Sequence, residues 1–290
     1  MTPEIAAQLQ AAGMEPSVVA EIVERALIED VGSGDVTSIA TIPAEQHDVA
    51  DVVARADGVV AGLAVAGAVF HAAARHIDFE ARVADGAAVS RGDVLATVAG
   101  PTRALLTAER TALNLLCRMS GVATHTRKWA DALVGTKATV LDTRKTTPGL
   151  RVLEKYAVRA GGGTNKRMGL YDVAMIKDNH KIAAGGLSLA FGAVRDLYPE
   201  VPVQVEITTV DEAVEAVEAG ATFLLCDNME PSLLRQVVAA VGDRAELEAT
   251  GGLTLARVRE FAETGVDYLS VGALTHSSPI LDIALDLRPR

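Results

Sequence analysis

The hydrophobic residues in the first third of the chain recur first at helical and then at strand spacing. Apolar positions three and four residues apart predict one or two helices over residues 3–29. A turn rich in glycine and aspartate follows at 29–37. Residues 49–99 have the alternation of strands, with one short helix expected at 61–74. This order of elements predicts a small mixed α/β domain.

A long amphipathic segment separates this region from the rest of the chain. Gly100 and Pro101 open it, and proline suits the first turn of a helix. The apolar face continues to about Leu133, with a break expected near Gly121. We therefore place an N-terminal domain at 1–116 and a second domain at 117–277. The C-terminal tail, 278–290, is expected to pack back on the N-terminal domain.

The second half of the chain repeats one unit, a short β-rich run followed by a helical pattern. Six such runs occur, at 138–142, 173–176, 203–205, 223–226, 246–249 and 268–271. From Lys177 onward, the residues that end successive runs are 29, 21, 23 and 22 positions apart, the spacing of βα units in a parallel sheet. The pattern predicts the α/β class, with an irregular (β/α) barrel of fewer than eight strands. Catalytic groups of such barrels lie at the C-terminal ends of the strands.

Composition agrees with this class. Hydrophobic residues make up 49% of the chain and aromatic residues only 3%, so aliphatic side chains must form the core. The two cysteines, Cys117 and Cys226, stand among leucines and are expected to fill core in a reducing cytosol. The N-terminus lacks the basic and apolar pattern of a signal peptide, and no apolar run is long enough to span a bilayer. We expect a cytoplasmic protein without a membrane partner.

Charge points to a small anionic ligand. The net charge of −11 argues against general nucleic-acid binding, which needs a positive footprint. Residues 144–181 nevertheless hold nine Lys and Arg against three acids, a local +6 that leaves −17 for the remainder. A basic island in an acidic protein suggests a site for a compact polyanion. The alternative is a solvated basic surface.

Two basic segments follow the first barrel strand. Thr143, Arg144 and Lys145 offer a bidentate fork beside a point charge, suited to carboxylate and phosphate. The run GGGTNKR at 161–167 combines backbone that can approach a ligand closely with the charges of Lys166 and Arg167. The alternative for the first segment is a surface turn with solvated charges, and the alternative for the glycine run is a flexible linker.

The later strand ends are also polar. Lys177 could grip an anion or form a Schiff base. Glu206 and Asp227 could hold ribose hydroxyls, bind Mg²⁺ or stabilise a cation, although either acid could instead cap the next helix. Glycine-bearing turns such as those at 250–252 and 270–273 form phosphate cradles in many barrels.

Taken together, the motifs resemble the quinolinate phosphoribosyltransferase family. The runs that carry the resemblance are LDTRKTTPG at 141–149, AGGGTNKR at 160–167, MIKDNH at 175–180, VE at 205–206 and TGG at 250–252, supported by ERTALNLL at 109–116 and ED…GDVT at 29–37. The resemblance covers essentially the whole chain. It implies an N-terminal open α/β sandwich, a C-terminal barrel and a homodimer with shared sites.

The resemblance also implies an activity: transfer of phosphoribosyl from phosphoribosyl pyrophosphate to quinolinate with loss of CO₂, in NAD biosynthesis. Arg144, Arg167 and Lys177 would hold the quinolinate carboxylates, with Thr143 and Lys166 beside them, and Arg110 would reach the partner subunit's site. Lys145, Glu206 and Asp227 would be the catalytic residues, the two acids also binding Mg²⁺. The 5′-phosphate cradle would comprise Thr250, Gly251, Gly252, Gly272, Ala273 and His276.

Two departures and three alternatives accompany this interpretation. Family members often carry His at the position of Lys166 and Ser at that of Thr250. A related branch linked to molybdenum transport shares much of the pattern, which leaves a related pyridine or pyrimidine acid open as substrate. A Schiff-base lyase using Lys177 is a second enzyme hypothesis. A biotinyl-type or lipoyl-type carrier is a third, suggested by 85–100 but opposed by the lack of lysine in 76–100.

Overall fold

A computed structural model describes residues 1–74 and 76–289 of the chain. The chain divides into two compact units. The first comprises residues 1–127, 146–162 and the C-terminal tail from Ser277, and the second comprises 128–145 and 163–276. The first boundary between the units lies at 127/128 in the structure, whereas the sequence pattern predicted it at 116/117.

The first unit combines two antiparallel sheets with helices. Its helices are α1 (Pro3–Ala11), α2 (Pro16–Val31), α3 (Val36–Thr41), α4 (Leu63–Ala73), most of α5 (Thr102–Ala132) and α6 (Arg151–Ala160). Its strands are β1 (His47–Ala54), β2 (Gly58–Val59), β3 (Asp78–Ala81), β4 (Ala88–Val89), β5 (Val94–Pro101) and β12 (Ile283–Leu287). The larger sheet has the order β12-β1-β5-β3, and β2 pairs with β4. The tail thus supplies an outer strand of this sheet.

Helix α5 is continuous through Gly121, so the expected break there is wrong. The glycine serves a tertiary contact instead. A Cβ at this position would lie 2.1 Å from the carbonyl oxygen of Pro279, so only glycine lets the tail pack this closely on the helix.

A buried ion pair fixes residues 146–162 within the first unit. The carboxylate of Glu154, which is fully buried, accepts hydrogen bonds from Arg118 on α5 at 2.7 and 3.0 Å. It also accepts from the backbone and hydroxyl of Thr147, at 3.0 and 2.7 Å. A buried carboxylate needs such partners, and these ones tie the start of α6 to α5.

The second unit is a six-stranded parallel sheet with helices between the strands. Its strands are β6 (Thr139–Leu141), β7 (Ala174–Ile176), β8 (Val203–Ile207), β9 (Phe223–Asp227), β10 (Glu246–Thr250) and β11 (Tyr268–Ser270). Its helices after α5 are α7 (Asp178–Ala184), α8 (Leu187–Leu197), α9 (Val210–Glu218), α10 (Pro231–Val241), α11 (Val258–Ala262) and α12 (Ala273–His276). The strand order is β6-β11-β10-β9-β8-β7, and every neighbouring pair is parallel. The prediction of the α/β class with fewer than eight barrel strands is confirmed.

The sheet curls so that its two outer strands face one space. Thr143, two residues after β6, and Lys177, directly after β7, line the same cavity, although four strands separate β6 from β7 in the sheet. On the outer side of β6, Thr164 forms an isolated parallel bridge to Leu141, and its amide donates to the Val140 carbonyl at 2.9 Å. The curled sheet is an irregular barrel, with all its C-terminal strand ends at one mouth.

Candidate active site

A cavity of about 670 Å³ opens at the C-terminal ends of the barrel strands. Thirteen of the fifteen residues expected in the site line it: Thr143, Arg144, Lys145, Lys166, Arg167, Lys177, Asp227, Thr250, Gly251, Gly252, Gly272, Ala273 and His276. The other two, Glu206 and Arg110, are described below. Residues far apart in the sequence meet here because parallel strands end at the same edge of the sheet.

A buried aspartate positions the loop that carries Lys166 and Arg167. Asp142, immediately after β6, is fully buried and accepts a hydrogen bond from the Asn165 side chain at 2.7 Å. It also accepts from the backbone amide of Lys166 at 2.8 Å. The guanidinium of Arg167 donates to the carbonyl oxygen of Val173 at 2.9 Å. These bonds hold the glycine-rich segment as ordered structure, unlike the flexible linker that was its alternative.

Five cationic side chains surround the cavity: Arg144, Lys145, Lys166, Arg167 and Lys177. Burial, followed by the nearby positive charge of Arg144, lowers the pKa of Arg167 below its usual range. Burial also lowers the pKa of Lys166, and Arg167 and Lys177 lower it further against the opposing effect of Glu248. Partly desolvated cations held this close favour the entry of an anion, because it would relieve their mutual repulsion.

Glu206 does not line the cavity but acts on a residue that does. Its carboxylate, 8% exposed, forms a very short ion pair with the ammonium of Lys177. The backbone carbonyl of Glu206 accepts from the ammonium of Lys181 at 3.1 Å. Because Glu206 belongs to β8, its ion pair ties the ammonium of Lys177 to the strand beside β7.

The turns after β9 and β10 fit against each other at the mouth. Asp227 ends β9 and accepts from the side chain of Asn228 at 2.8 Å. Asn228 has a left-handed backbone, with φ of 52°. Gly251 is also left-handed, with φ of 92°, and a Cβ there would lie 2.0 Å from Asn228 Oδ1. Glycine is therefore required at 251 on two counts, conformation and space.

The turn after β11 brings Lys145 beside His276. A Cβ on Gly272 would lie 3.0 Å from Lys145 Cδ and 3.2 Å from His276 Nε2. The hydroxyl of Thr275 donates to the Lys145 carbonyl at 2.9 Å, which joins the loop after β6 to α12. Because Gly272 has no side chain, space remains beside Lys145 and His276, an arrangement suited to a phosphate group.

Arg110 lies on α5, within the first unit, and is exposed. That Arg110 reaches the site of a partner subunit stays a prediction.

Two family models match this chain. They are the N-terminal domain of quinolinate phosphoribosyl transferase, at residues 35–120, and the C-terminal domain, at residues 122–286. The chain belongs to the quinolinate phosphoribosyltransferase family.

Relatives within the quinolinate phosphoribosyltransferase family align over nearly the whole chain. A protein of Mycobacterium leprae named nicotinate-nucleotide pyrophosphorylase [carboxylating] is 48% identical, over 92% of this chain and 96% of its own. One of Bacillus subtilis, named as a probable enzyme of the same kind, is 43% identical, over 90% of each chain. The structure of the nicotinate-nucleotide pyrophosphorylase from Francisella tularensis superposes with a TM-score of 0.89 at 33% identity, covering 94% of this chain and 96% of that one.

Sequence reasoning missed several residues that line this cavity, among them Asn228 and Glu248. Glu248 is the most consequential because it is a fully buried carboxylate. It lies within β10, two residues before the predicted strand end, where a charged residue usually marks a solvent-facing position. In a barrel, the alternation along a strand can instead point such a side chain inward, and the sequence alone does not distinguish the two directions.

Proposed function

We propose that this chain transfers the phosphoribosyl group of phosphoribosyl pyrophosphate to quinolinate and releases pyrophosphate and CO₂, so that nicotinate mononucleotide forms. The observation that carries the proposal is the set of five cationic side chains around one cavity. Both substrates are anionic, and binding them together requires such a concentration of positive charge. Relatives named nicotinate-nucleotide pyrophosphorylase [carboxylating] support the same reaction.

Quinolinate binds at the side of the cavity formed by the loop after β6 and by the residues on either side of β7. The fork of Arg144 and the charges of Arg167 and Lys177 suit its two carboxylates. Thr143 and Lys166 lie in the same lining. Rigid placement of these groups fixes the pyridine nitrogen relative to the sugar, and this positioning is a large part of the catalysis.

Phosphoribosyl pyrophosphate binds across the ends of β9, β10 and β11. The turns at 250–252 and 272–273, with His276, receive the 5′-phosphate, and Lys145 meets the pyrophosphate side of the sugar. Asp227 accepts from ribose hydroxyls and stabilises positive charge as it develops on the sugar. Glu206 acts through its ion pair with Lys177.

No side chain of the protein needs to form a covalent bond with either substrate during the reaction. The pyridine nitrogen forms a bond to the anomeric carbon while the bond to pyrophosphate breaks. The ring nitrogen is then positively charged, so it stabilises the electron pair left at C2 when the bond to the carboxyl carbon breaks and CO₂ departs. A proton then adds at C2. The side chains supply orientation and charge.

Magnesium fits this site through few protein ligands. Within residues 1–74 and 76–289, no group of three or more His, Cys, Asp and Glu side chains could hold a metal. Mg²⁺ commonly binds one or two carboxylates together with substrate phosphates, so such a group is unnecessary. Asp227 would hold the ion, since it lines the cavity. Glu206, which pairs with Lys177, would be the second carboxylate near the ion. When bound, the ion neutralises charge on the departing pyrophosphate.

The proposed setting is a homodimer in the cytoplasm, with Arg110 reaching the site of the partner subunit. The exposed position of Arg110 on α5 supports this role. Both cysteines are free and buried, which suits a reducing compartment. No helix within the described part of the chain is long and apolar enough to cross a membrane.

The decisive assay combines the protein with quinolinate, phosphoribosyl pyrophosphate and Mg²⁺. We expect nicotinate mononucleotide and CO₂ in equal amounts. The nucleotide is measured by chromatography, and CO₂ is measured as label released from the C2 carboxyl group of quinolinate. Nicotinate in place of quinolinate is the control and should give little product, because it lacks one of the two carboxylates. Equal turnover of nicotinate, or no nucleotide from quinolinate, would refute the proposal.

A further inference from the structure

Glu248 is the centre of a buried polar network beneath the cavity. Its side chain, on β10, is fully buried. Oε1 accepts from the ammonium of Lys166 at 2.6 Å and, through a very short bond, from the hydroxyl of Ser270. Oε2 accepts from the side-chain amide of Gln204 at 2.6 Å. Three donors from β8, β11 and the loop after Gly163 thus converge on one carboxylate.

A carboxylate in this place is unexpected for a cavity that binds polyanions. Removing a carboxylate from water is expensive, and a negative charge in the lining repels an acidic substrate. An apolar residue at 248 would avoid both costs. The network therefore has to serve a purpose that needs the negative charge, and within residues 1–74 and 76–289 the cation that pairs with this carboxylate is Lys166.

We infer that Glu248 is a positioning residue that acts through Lys166, holding its ammonium at one point of the cavity wall to bind the acidic pyridine substrate. This inference rests on the proposed function and deepens it. The side chain of Lys166 is only 10% exposed, and Glu248 anchors its far end. An anchored lysine loses little conformational freedom when a substrate carboxylate arrives, so less of the binding energy is spent on ordering.

Glu248 also keeps Lys166 charged. The charged groups that face this ammonium include Glu248 from β10, Arg167 from its own loop and Lys177 after β7, while Asp142 accepts from its backbone amide. Burial and the two cations lower the pKa of Lys166, and Glu248 opposes them. Removing the negative charge of Glu248 lowers this pKa further. Lys166 then loses its proton, and with it the ability to bind an anion, at a lower pH.

The test is Glu248→Gln, which keeps size and shape but removes the charge. We expect the KM for quinolinate to rise about 10-fold to 100-fold, the usual effect of losing a hydrogen bond between charged groups, while the KM for phosphoribosyl pyrophosphate changes little. The alkaline limb of kcat/KM for quinolinate should move to lower pH. Glu248→Asp, which keeps the charge, should leave that limb near its original position.

Gln204→Met is the matched packing control. It removes a neutral donor from the same buried carboxylate and leaves both the charge and Lys166 in place. We expect its alkaline limb to coincide with that of the unaltered protein. A limb that moves equally in Gln204→Met and Glu248→Gln would show a structural role for Glu248 and overturn the inference.

A double-mutant cycle with Lys166→Met tests whether Glu248 acts through the lysine. If it does, Glu248→Gln should change the quinolinate KM less than twofold in the Lys166→Met background, because coupled residues are not additive. Additive effects would overturn the inference. Failure of the unaltered protein to make nicotinate mononucleotide would instead refute the proposed function, so the two failures are distinguishable.

Discussion

At the scale of single residues, Arg144 gives the most direct test of the site. It lines the cavity beside Arg167, where its charge and planar fork suit a carboxylate. Arg144→Ala should cost about 2–4 kcal/mol of transition-state stabilisation, measured as the fall in kcat/KM for quinolinate. Arg195→Ala, a change at an exposed arginine of the same unit, is the control and should be neutral. Near-normal turnover by Arg144→Ala would remove that residue from the substrate site.

The thiol of Cys226 is expected to be unreactive in the folded protein. The residue is fully buried on β9, one position before Asp227. Burial, reinforced by the negative charge of Glu248, raises its pKa to about 12, and Cys117 is also buried with a raised pKa. Since the thiolate is the reactive form, a chromogenic disulfide reagent at pH 8 should modify neither residue until denaturant is added. Rapid modification of one thiol per chain without denaturant would contradict this.

The positions of residues around the cavity could be predicted where the sequence pattern is local. The residues that end the barrel strands could be recognised because short β-rich runs recur with polar residues after them. Glu248 could not, because only the closed sheet shows that its side chain turns inward toward Lys166. Glu206 was expected to touch the ligand directly, yet it lies outside the lining and pairs with Lys177. Which partner a charged group chooses depends on contacts that sequence spacing does not encode.

At the scale of elements, α5 shows how a tertiary contact overrides a local signal. Glycine in a helix interior is destabilising relative to alanine, so a break at Gly121 was a reasonable expectation. The helix nevertheless continues through Gly121, and the tail occupies the space that a side chain at this position would fill. The sequence contains the glycine but not the identity of its neighbour, 158 residues further along at Pro279.

Gly121→Ala should therefore destabilise the protein although alanine favours helices. Its Cβ would meet the Pro279 carbonyl at 2.1 Å, and backbone on both sides must shift, at a cost of about 1–3 kcal/mol. Gly192→Ala on α8 is the matched control, since no atom lies within 4 Å of the added Cβ, and it should stabilise by up to about 1 kcal/mol. Urea unfolding compares the two. A stabilised Gly121→Ala variant would show that the tail does not hold this contact in solution.

At the scale of the whole molecule, the two units are interleaved along the chain. The chain passes from one unit to the other four times, at 127/128, 145/146, 162/163 and 276/277. Sequence patterns give the order of elements but not which core each of them joins. Helix α6 illustrates this, because it follows a barrel strand in sequence yet belongs to the first unit, where Glu154 pairs with Arg118.

The shared site of the proposed homodimer can be tested by mixing two inactive variants. If Arg110 completes the partner's site, Arg110→Ala and Arg144→Ala should each be nearly inactive alone. In a mixed dimer, one site has both arginines intact. Random exchange makes half of the dimers mixed, so about a quarter of the full activity should return. Activity is measured after unfolding and refolding the two variants together. A mixture no more active than its components would place Arg110 outside the shared site.

The position of β12 determines when this protein can finish folding during its own synthesis. Residues 283–287 form an outer strand of the sheet that begins with β1, more than 200 residues earlier. Until residues 283–287 have left the ribosome, the backbone amides and carbonyls on that side of β1 have no strand to pair with. The barrel unit, complete at His276, is translated in full before the unit that starts the chain can close.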